Sequence, residues 1–180
     1  KIREDAPDHV MGSTTTGGET TPGAVKVGKG GEYANLDAVV MDAVNELIDV
    51  VYQDDDDLVV ICGRELLSDK YFPLVNKEQE NSEKLAADMI ISQKRMGGLQ
   101  AVRAPFFPPN ALLITRLDNL SIYWQEDTRR RSVIDNPKRD RIENFESVNE
   151  AYVVEDYRCA ALVENIQIGD FSAAAAEAGA

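Results

Sequence analysis

The sequence predicts an α+β fold, and three observations carry that reading. Leu36, Val39, Val40, Ala43, Val44, Leu47 and Ile48 recur at i, i+3, i+4 and i+7, with Asp42, Asn45 and Glu46 opposite, the pattern of an amphipathic helix. Leu58–Cys62 is an unbroken apolar, β-branched run closed by Gly63, as in a strand buried on both faces. From Leu99 onward short apolar runs alternate with Pro-, Asn- and Asp-bearing turns, the texture of successive strands. A chain of 180 residues can build one ordinary core, or two small lobes that share chain crossings.

The elements follow in order. Residues 1–34 are a charged, then Gly/Thr-rich lead-in; positions 12–31 hold seven Gly and five Thr, too little apolar area to offset ordering entropy, so a long flexible loop is expected. Asn35 is suited to cap the first helix, and Asp37 meets its dipole. Asp54–Asp57 is an acidic turn before the buried strand. Arg64 to about Val75 reads as a helix limited by Pro73, and Asn81 or Ser82 can cap a further helix through Leu85, Ala86 and Met89, stopped by Gly97 and Gly98. Leu99–Arg103, Ala111–Thr115 and Leu120–Trp124 are strand-like, separated by a proline loop at 104–110. Gln125–Arg131 reads as a charged hairpin or loop, Ser132–Ile134 as a short edge strand, and Asn144-Phe145 as a turn or strand start. Val148–Val154 and Cys159–Ile168 read as two long strands around Asp156-Tyr157, and residues 170–180 as a disordered Ala-rich tail.

Composition removes several function classes. Net charge is −13, whereas a domain that grips phosphates carries a basic face, so nucleic acid is not expected as the main ligand. No apolar stretch reaches the ~18 residues of a membrane span. Cys62 and Cys159 are isolated in apolar surroundings, which suggests free thiols in a reducing compartment. With His9 as the one histidine and no CxxC pair, a Cys/His zinc site and a His-dependent nucleophile are both disfavoured. Gly28–Gly31 lacks the strand, the spacing and the Ser or Thr of a phosphate-cradling loop. No catalytic residue, metal ligand or cofactor is expected. The chain starts at Lys1 without a Met, which suggests a fragment of something longer.

Two charged clusters remain. Asp54, Asp55, Asp56 and Asp57 are hard-cation ligand types, but four consecutive carboxylates diverge, and the spacing of a calcium loop is missing. A solvated acidic turn is the expectation; the alternative is a small cation-dependent hydrolase or binding module. Arg129, Arg130 and Arg131, followed by Lys138, Arg139 and Arg141, form the basic cluster, beside Tyr123 and Trp124. In an acidic protein that self-associates, such a loop can meet Asp-rich surfaces of identical copies. Both clusters are therefore candidate inter-subunit contacts. Trp124, Phe106 and Phe107 are expected in the core.

The order of three segments is specific: GKGGEYANLDAVVMDAVNELI (28–48), YQDDDDLVVICGRELLSDKYFPLVNKEQENSEKLAADMIISQKRMGGLQAVRAPFFP (52–108) and LDNLSIYWQEDTRRRSVIDNPKRDRIENFESVNEAYVVEDY (117–157). From about Lys26 to Phe171 this resembles the major capsid protein of P2-like tailed phages. The resemblance implies the Hong Kong 97 (HK97)-like capsid fold. Residues 35–119 plus 158–169 would be its axial (A) domain, and 120–157 the strand part of its peripheral (P) domain. The N-arm, extended loop and spine helix of that fold are absent from these residues. It also implies a structural subunit of a phage or prophage virion, assembled in the bacterial host cytoplasm. Its partners would be copies of itself and the scaffolding and portal proteins. It would form hexamers and pentamers that enclose DNA without sequence-specific binding.

Overall fold

A computed structural model describes residues 1–16, 19–76 and 88–172. The first part of the expected 81–94 helix and the tail from residue 173 lie outside the described residues; 88–93 are helical. The described elements begin with α1 (Ile2–Asp5), β1 (Val10–Met11), β2 (Ser13–Thr16), β3 (Glu19–Pro22) and β4 (Val25–Val27). Then come α2 (Leu36–Leu47), α3 (Val50–Gln53), β5 (Leu58–Cys62) and α4 (Arg64–Val75). Five strands follow: β6 (Arg95–Met96), β7 (Leu99–Arg103), β8 (Leu112–Arg116), β9 (Leu120–Trp124) and β10 (Arg130–Asn136). The remainder are β11 (Arg141–Ser147), β12 (Glu150–Val154), β13 (Ala160–Val163) and β14 (Ile166–Ile168).

The chain divides into two compact units, Lys1–Leu117 with Asp156–Ala180, and Asp118–Glu155. The first unit is built on a mixed six-stranded sheet in the order β1-β13-β8-β5-β7-β6. β5 lies inside that sheet, parallel to β7 and antiparallel to β8, and all five of its residues are buried. Leu58, Val60 and Cys62 share one face and join a core with Leu112, Ile114, Ala161 and Val163 from the neighbouring strands. α2 brings Leu36, Val39, Val40 and Ala43 into that core. Asn35 accepts from the Ala38 amide at 2.9 Å, the cap its side chain predicts. The turn at Gly97 (φ +59°) leaves no room for a side chain, because a Cβ there would lie 2.5 Å from Val40 Cγ1.

The lead-in is not loop throughout. β1 pairs in parallel with β13, β2 pairs with β3 as a hairpin, and β4 pairs in parallel with β14. Val25 and Val27 are buried in the main core. Composition misled here because the threonines that lower apolar content are also β-branched and favour strands. One helix holds and one strand is corrected locally. The α4 helix spans Arg64–Val75 as its sequence predicts, with Pro73 lying in its last turn. The expected 159–168 strand breaks into β13 and β14 at Asn165, whose φ of +55° turns the chain.

The second unit is an antiparallel ribbon. β9 pairs with β12 from Leu120↔Val154 to Trp124↔Glu150, and β10 pairs with β11 from Arg130↔Ser147 to Asn136↔Arg141. The 125–129 segment bulges between them, held by Gln125 N–H to Asn149 O at 3.1 Å and Thr128 Oγ1 to Gln125 O at 2.8 Å. The edge strand expected at 132–134 is thus a seven-residue strand, because β11 (RIENFES) gives it a partner that its mixed polarity concealed.

The two units predict opposite mutational responses. Leu112 is fully buried, so Leu112→Ala should cost about 3 kcal/mol and lower Tm by roughly 6–12 °C. Ile142 is 72% exposed, so Ile142→Ala should stay within about 0.5 kcal/mol. Thermal melts followed by circular dichroism measure both.

Candidate assembly surfaces

The acidic turn is positioned by α3. Asp49 caps this short helix, accepting from the Val51 amide at 3.1 Å. Gln53 Nε2 donates to Asn45 O at 2.9 Å and Ile48 O at 2.8 Å, fixing the helix against the end of α2. Tyr52 donates its hydroxyl to Asp156 at 3.0 Å. Asp156 also accepts from the Arg158 amide and guanidinium. The Arg158 side chain, with its amide and Tyr52, holds the Asp156 carboxyl down at about 2, from an ordinary 3.8.

The four aspartates then part company. Asp55 pairs with Arg116 at 2.8 Å and accepts from the Asp57 amide at 3.0 Å. Asp54, Asp56 and Asp57 are exposed, and no partner of their carboxylates is found among the described residues. Among the described residues no three His, Cys, Asp or Glu side chains are grouped to hold a metal ion. Val50 and Val51, on the same short helix, are each 78% exposed. The result is a projecting element, apolar on its helical part and acidic at its end.

The arginine cluster is not one loop. Arg129 precedes β10 and binds Glu146 Oε1 through Nε at 2.9 Å and Nη2 at 2.6 Å. Arg130 and Arg131 are the first residues of β10, and Arg131 reaches Asn144 Oδ1 at 3.3 Å. Strand alternation therefore sends the two side chains to opposite faces of the ribbon. Arg141 pairs with Glu143 at 2.6 Å. Arg130 has no side-chain partner among the described residues.

The aromatic side chains expected in the core are largely outside it. Phe106 is fully exposed with φ +62°, and Phe107 is half-buried. Pro105, Pro108 and Pro109 keep their loop out of the sheet ladder, so its side chains find no sheet face to pack on. Trp124 is 65% exposed. It shares one ribbon face with Leu120, Ile122 and, across the ladder, Tyr152 and Val154. Leu120, Ile122, Trp124 and Tyr152 are all exposed there. A period-2 count over LSIYW and EAYVV finds this apolar face, but sequence alone gives no means of knowing that no second layer covers it.

A second apolar surface lies at the opposite end of β5. Arg64 and Arg103 line both of two adjoining cavities, of about 510 and 290 Å³. Phe106 and Phe107 border the larger, Leu67 and Phe72 the smaller. Cys62 and Cys159 are free and buried, and burial pushes both thiols up in pKa, away from reactive thiolate. No helix among the described residues is long and apolar enough to cross a membrane.

Similarity to known proteins identifies the family of the chain. The family model for the phage major capsid protein, P2 family, matches residues 1–166. The chain belongs to that family. It is 61% identical to the capsid proteins of Escherichia phage P2 over its full length, covering 52% of that relative. It is 37% identical to the major capsid protein of Serratia phage KSP20 over 92% of its length, covering 48% of that relative. The chain thus spans about half the length of these curated relatives. Among solved structures it matches a chain of the satellite phage P4 procapsid including size determination (Sid) protein. That match has a TM-score of 0.84 at 58% identity, covering 96% of this chain and 51% of that one. The α+β architecture is therefore that of a phage capsid fold.

Asp156 gives the test of how the acidic projection is held. Asp156→Ala removes the acceptor shared by Tyr52 and Arg158 and should cost roughly 1 kcal/mol, or about 2–4 °C in Tm, at pH 7. The folded carboxyl lies at about 2 and the ordinary one at 3.8, so its contribution is complete above pH ~4 and vanishes as pH falls toward 2. Melts at pH 7 and pH 2.5 should show the difference between variant and parent shrinking at the lower pH.

Proposed function

We propose that this chain is the part of a tailed-phage or prophage major capsid subunit that forms the A domain and the strand part of the P domain of an HK97-like fold. Its work is assembly, not turnover. Residues 35–119 with 158–169 make the A domain, and 120–157 the P-domain strands. An N-arm, an extended loop and a spine helix would complete such a subunit, and the chain covers 52% of the length of the Escherichia phage P2 relative. The whole subunit packs into hexamers and pentamers around DNA, in the virion shell, after assembly in the host cytoplasm. Scaffolding and portal proteins are its further partners. The net charge of −13 suits a shell that encloses DNA without adhering to it.

One observation carries this reading: the ribbon Asp118–Glu155 presents Leu120, Ile122, Trp124 and Tyr152 to solvent. A two-stranded ribbon is marginal alone, and an apolar face of this kind gains stability only when something covers it. The membership of the P2 capsid family supplies the context in which assembly covers it. The Asp54–Asp57 turn and Arg129–Arg131 are further contact elements between copies, and of these three arginines Arg130 has no side-chain partner among the described residues.

Particle counting by electron microscopy tests this in the full-length subunit. Ile122→Asp should lower the yield of closed shells at least tenfold, while leaving the Tm of the 180-residue chain unchanged. In the same assay, reversing Arg129, Arg130 and Arg131 to Glu should lower the yield more at low than at high salt. Normal shells from Ile122→Asp would remove the ribbon from the assembly account, and an unchanged yield at both salts would remove the arginines.

A further inference from the structure

The first unit carries two complementary surfaces at opposite ends of one strand. The acidic projection at 49–57 runs directly into Leu58, the first residue of β5. Arg64 follows the last residue of β5 by two positions, and Arg103 sits across from Cys62 at the end of the parallel strand β7. Five strand residues at about 3.3 Å each hold the two surfaces roughly 16 Å apart, so the projection cannot fold back into the cavities of its own sheet.

Their chemistry matches. The projection offers two exposed valines, Val50 and Val51, and three exposed carboxylates without partners among the described residues, Asp54, Asp56 and Asp57. The adjoining cavities offer an apolar lining that includes the exposed Phe72 and Phe106. They also offer three exposed cations, Arg64, Lys94 and Arg103, whose side chains have no partner among the described residues. Gly63 caps α4 with no side chain, so the positive end of that helix adds to the field there. With Glu65 as the one carboxylate in their lining, the cavities are net positive in a chain of net charge −13. Long-range repulsion between copies requires such local complementarity.

We propose that the 49–57 projection of one copy seats in the Arg64/Arg103 cavities of a second copy, with Val50 and Val51 against the Phe72 and Phe106 side and the aspartates on the cations. The contact is head-to-tail. Because donor and acceptor surfaces are different, each copy uses both, and copies chain into rings or arrays instead of closed dimers. This rests on the capsid-subunit reading and adds to it the surfaces that join neighbours.

Cross-linking in the full-length subunit tests it. The pair Val51→Cys and Phe106→Cys, oxidised in assembled shells, should give covalent multimers beyond the dimer on denaturing gels; either cysteine alone should not. Shells that assemble normally with no cross-link, or with dimers only, would overturn the contact while leaving the capsid reading intact. A parent subunit that forms no shells would instead overturn the capsid reading. Charge reversal gives a second arm that does not depend on the cysteines. Arg64→Glu with Arg103→Glu should cut shell yield at least tenfold, and adding Asp56→Arg with Asp57→Arg should restore most of it. All four positions are exposed, so the Tm of the 180-residue chain should stay within a degree or two of the parent's. Undiminished yield in the first variant, or no recovery in the second, would overturn the proposal.

Discussion

The burial of β5 is the constraint on which the first unit depends. A strand with every residue out of water must be paired on both edges and covered on both faces. β7 and β8 supply the edges, and α2 adds its apolar stripe to the core formed on one face. Distant parts of the chain are drawn in to complete the same core. Val25 and Val27 enter from the lead-in, and Ala161, Val163 and Ile166 from the far end. Segments on either side of the Asp118–Glu155 ribbon thus share one core. The buried β5 thus separates the acidic turn before Leu58 from the arginine-lined hollow beyond Cys62.

The ribbon follows the opposite logic. Its strands satisfy their backbone through β9–β12 and β10–β11 pairing, yet its large side chains remain in water. Hydrogen bonds such as Tyr123 Oη to Glu155 at 2.8 Å fix side chains along the edges without burying them. Ser121 and Tyr123 together hold the Glu155 carboxyl below its ordinary pKa. The first unit encloses a large apolar core, whereas the ribbon leaves Leu120, Ile122, Trp124 and Tyr152 exposed.

The legible features were those set by local periodicity. α2, its Asn35 cap, the buried β5 and the proline loop all stand where residue spacing puts them, because each is decided within a few residues. The missed features depend on a partner. β11 reads as mixed polar sequence until β10 lies beside it, and the lead-in reads as loop until β13 and β14 provide strands to pair with. Trp124 and Phe106 were misplaced for a related reason. Aromatic content favours the core only when the fold provides a second layer, and neither the ribbon nor the 105–109 loop has one. The Arg64/Arg103 hollow has no sequence signature, since its residues come from a helix start, a strand end and a loop.

If side chains exposed on this chain are contact surfaces of a shell, assembly must bury them. Hydroxyl-radical footprinting with mass spectrometry, comparing the free 180-residue chain with shells of the full-length subunit, tests it residue by residue. Trp124, the single tryptophan, and Tyr152 should be oxidised readily in the free chain and strongly protected in shells. Equal oxidation of both residues in the two states would contradict the account.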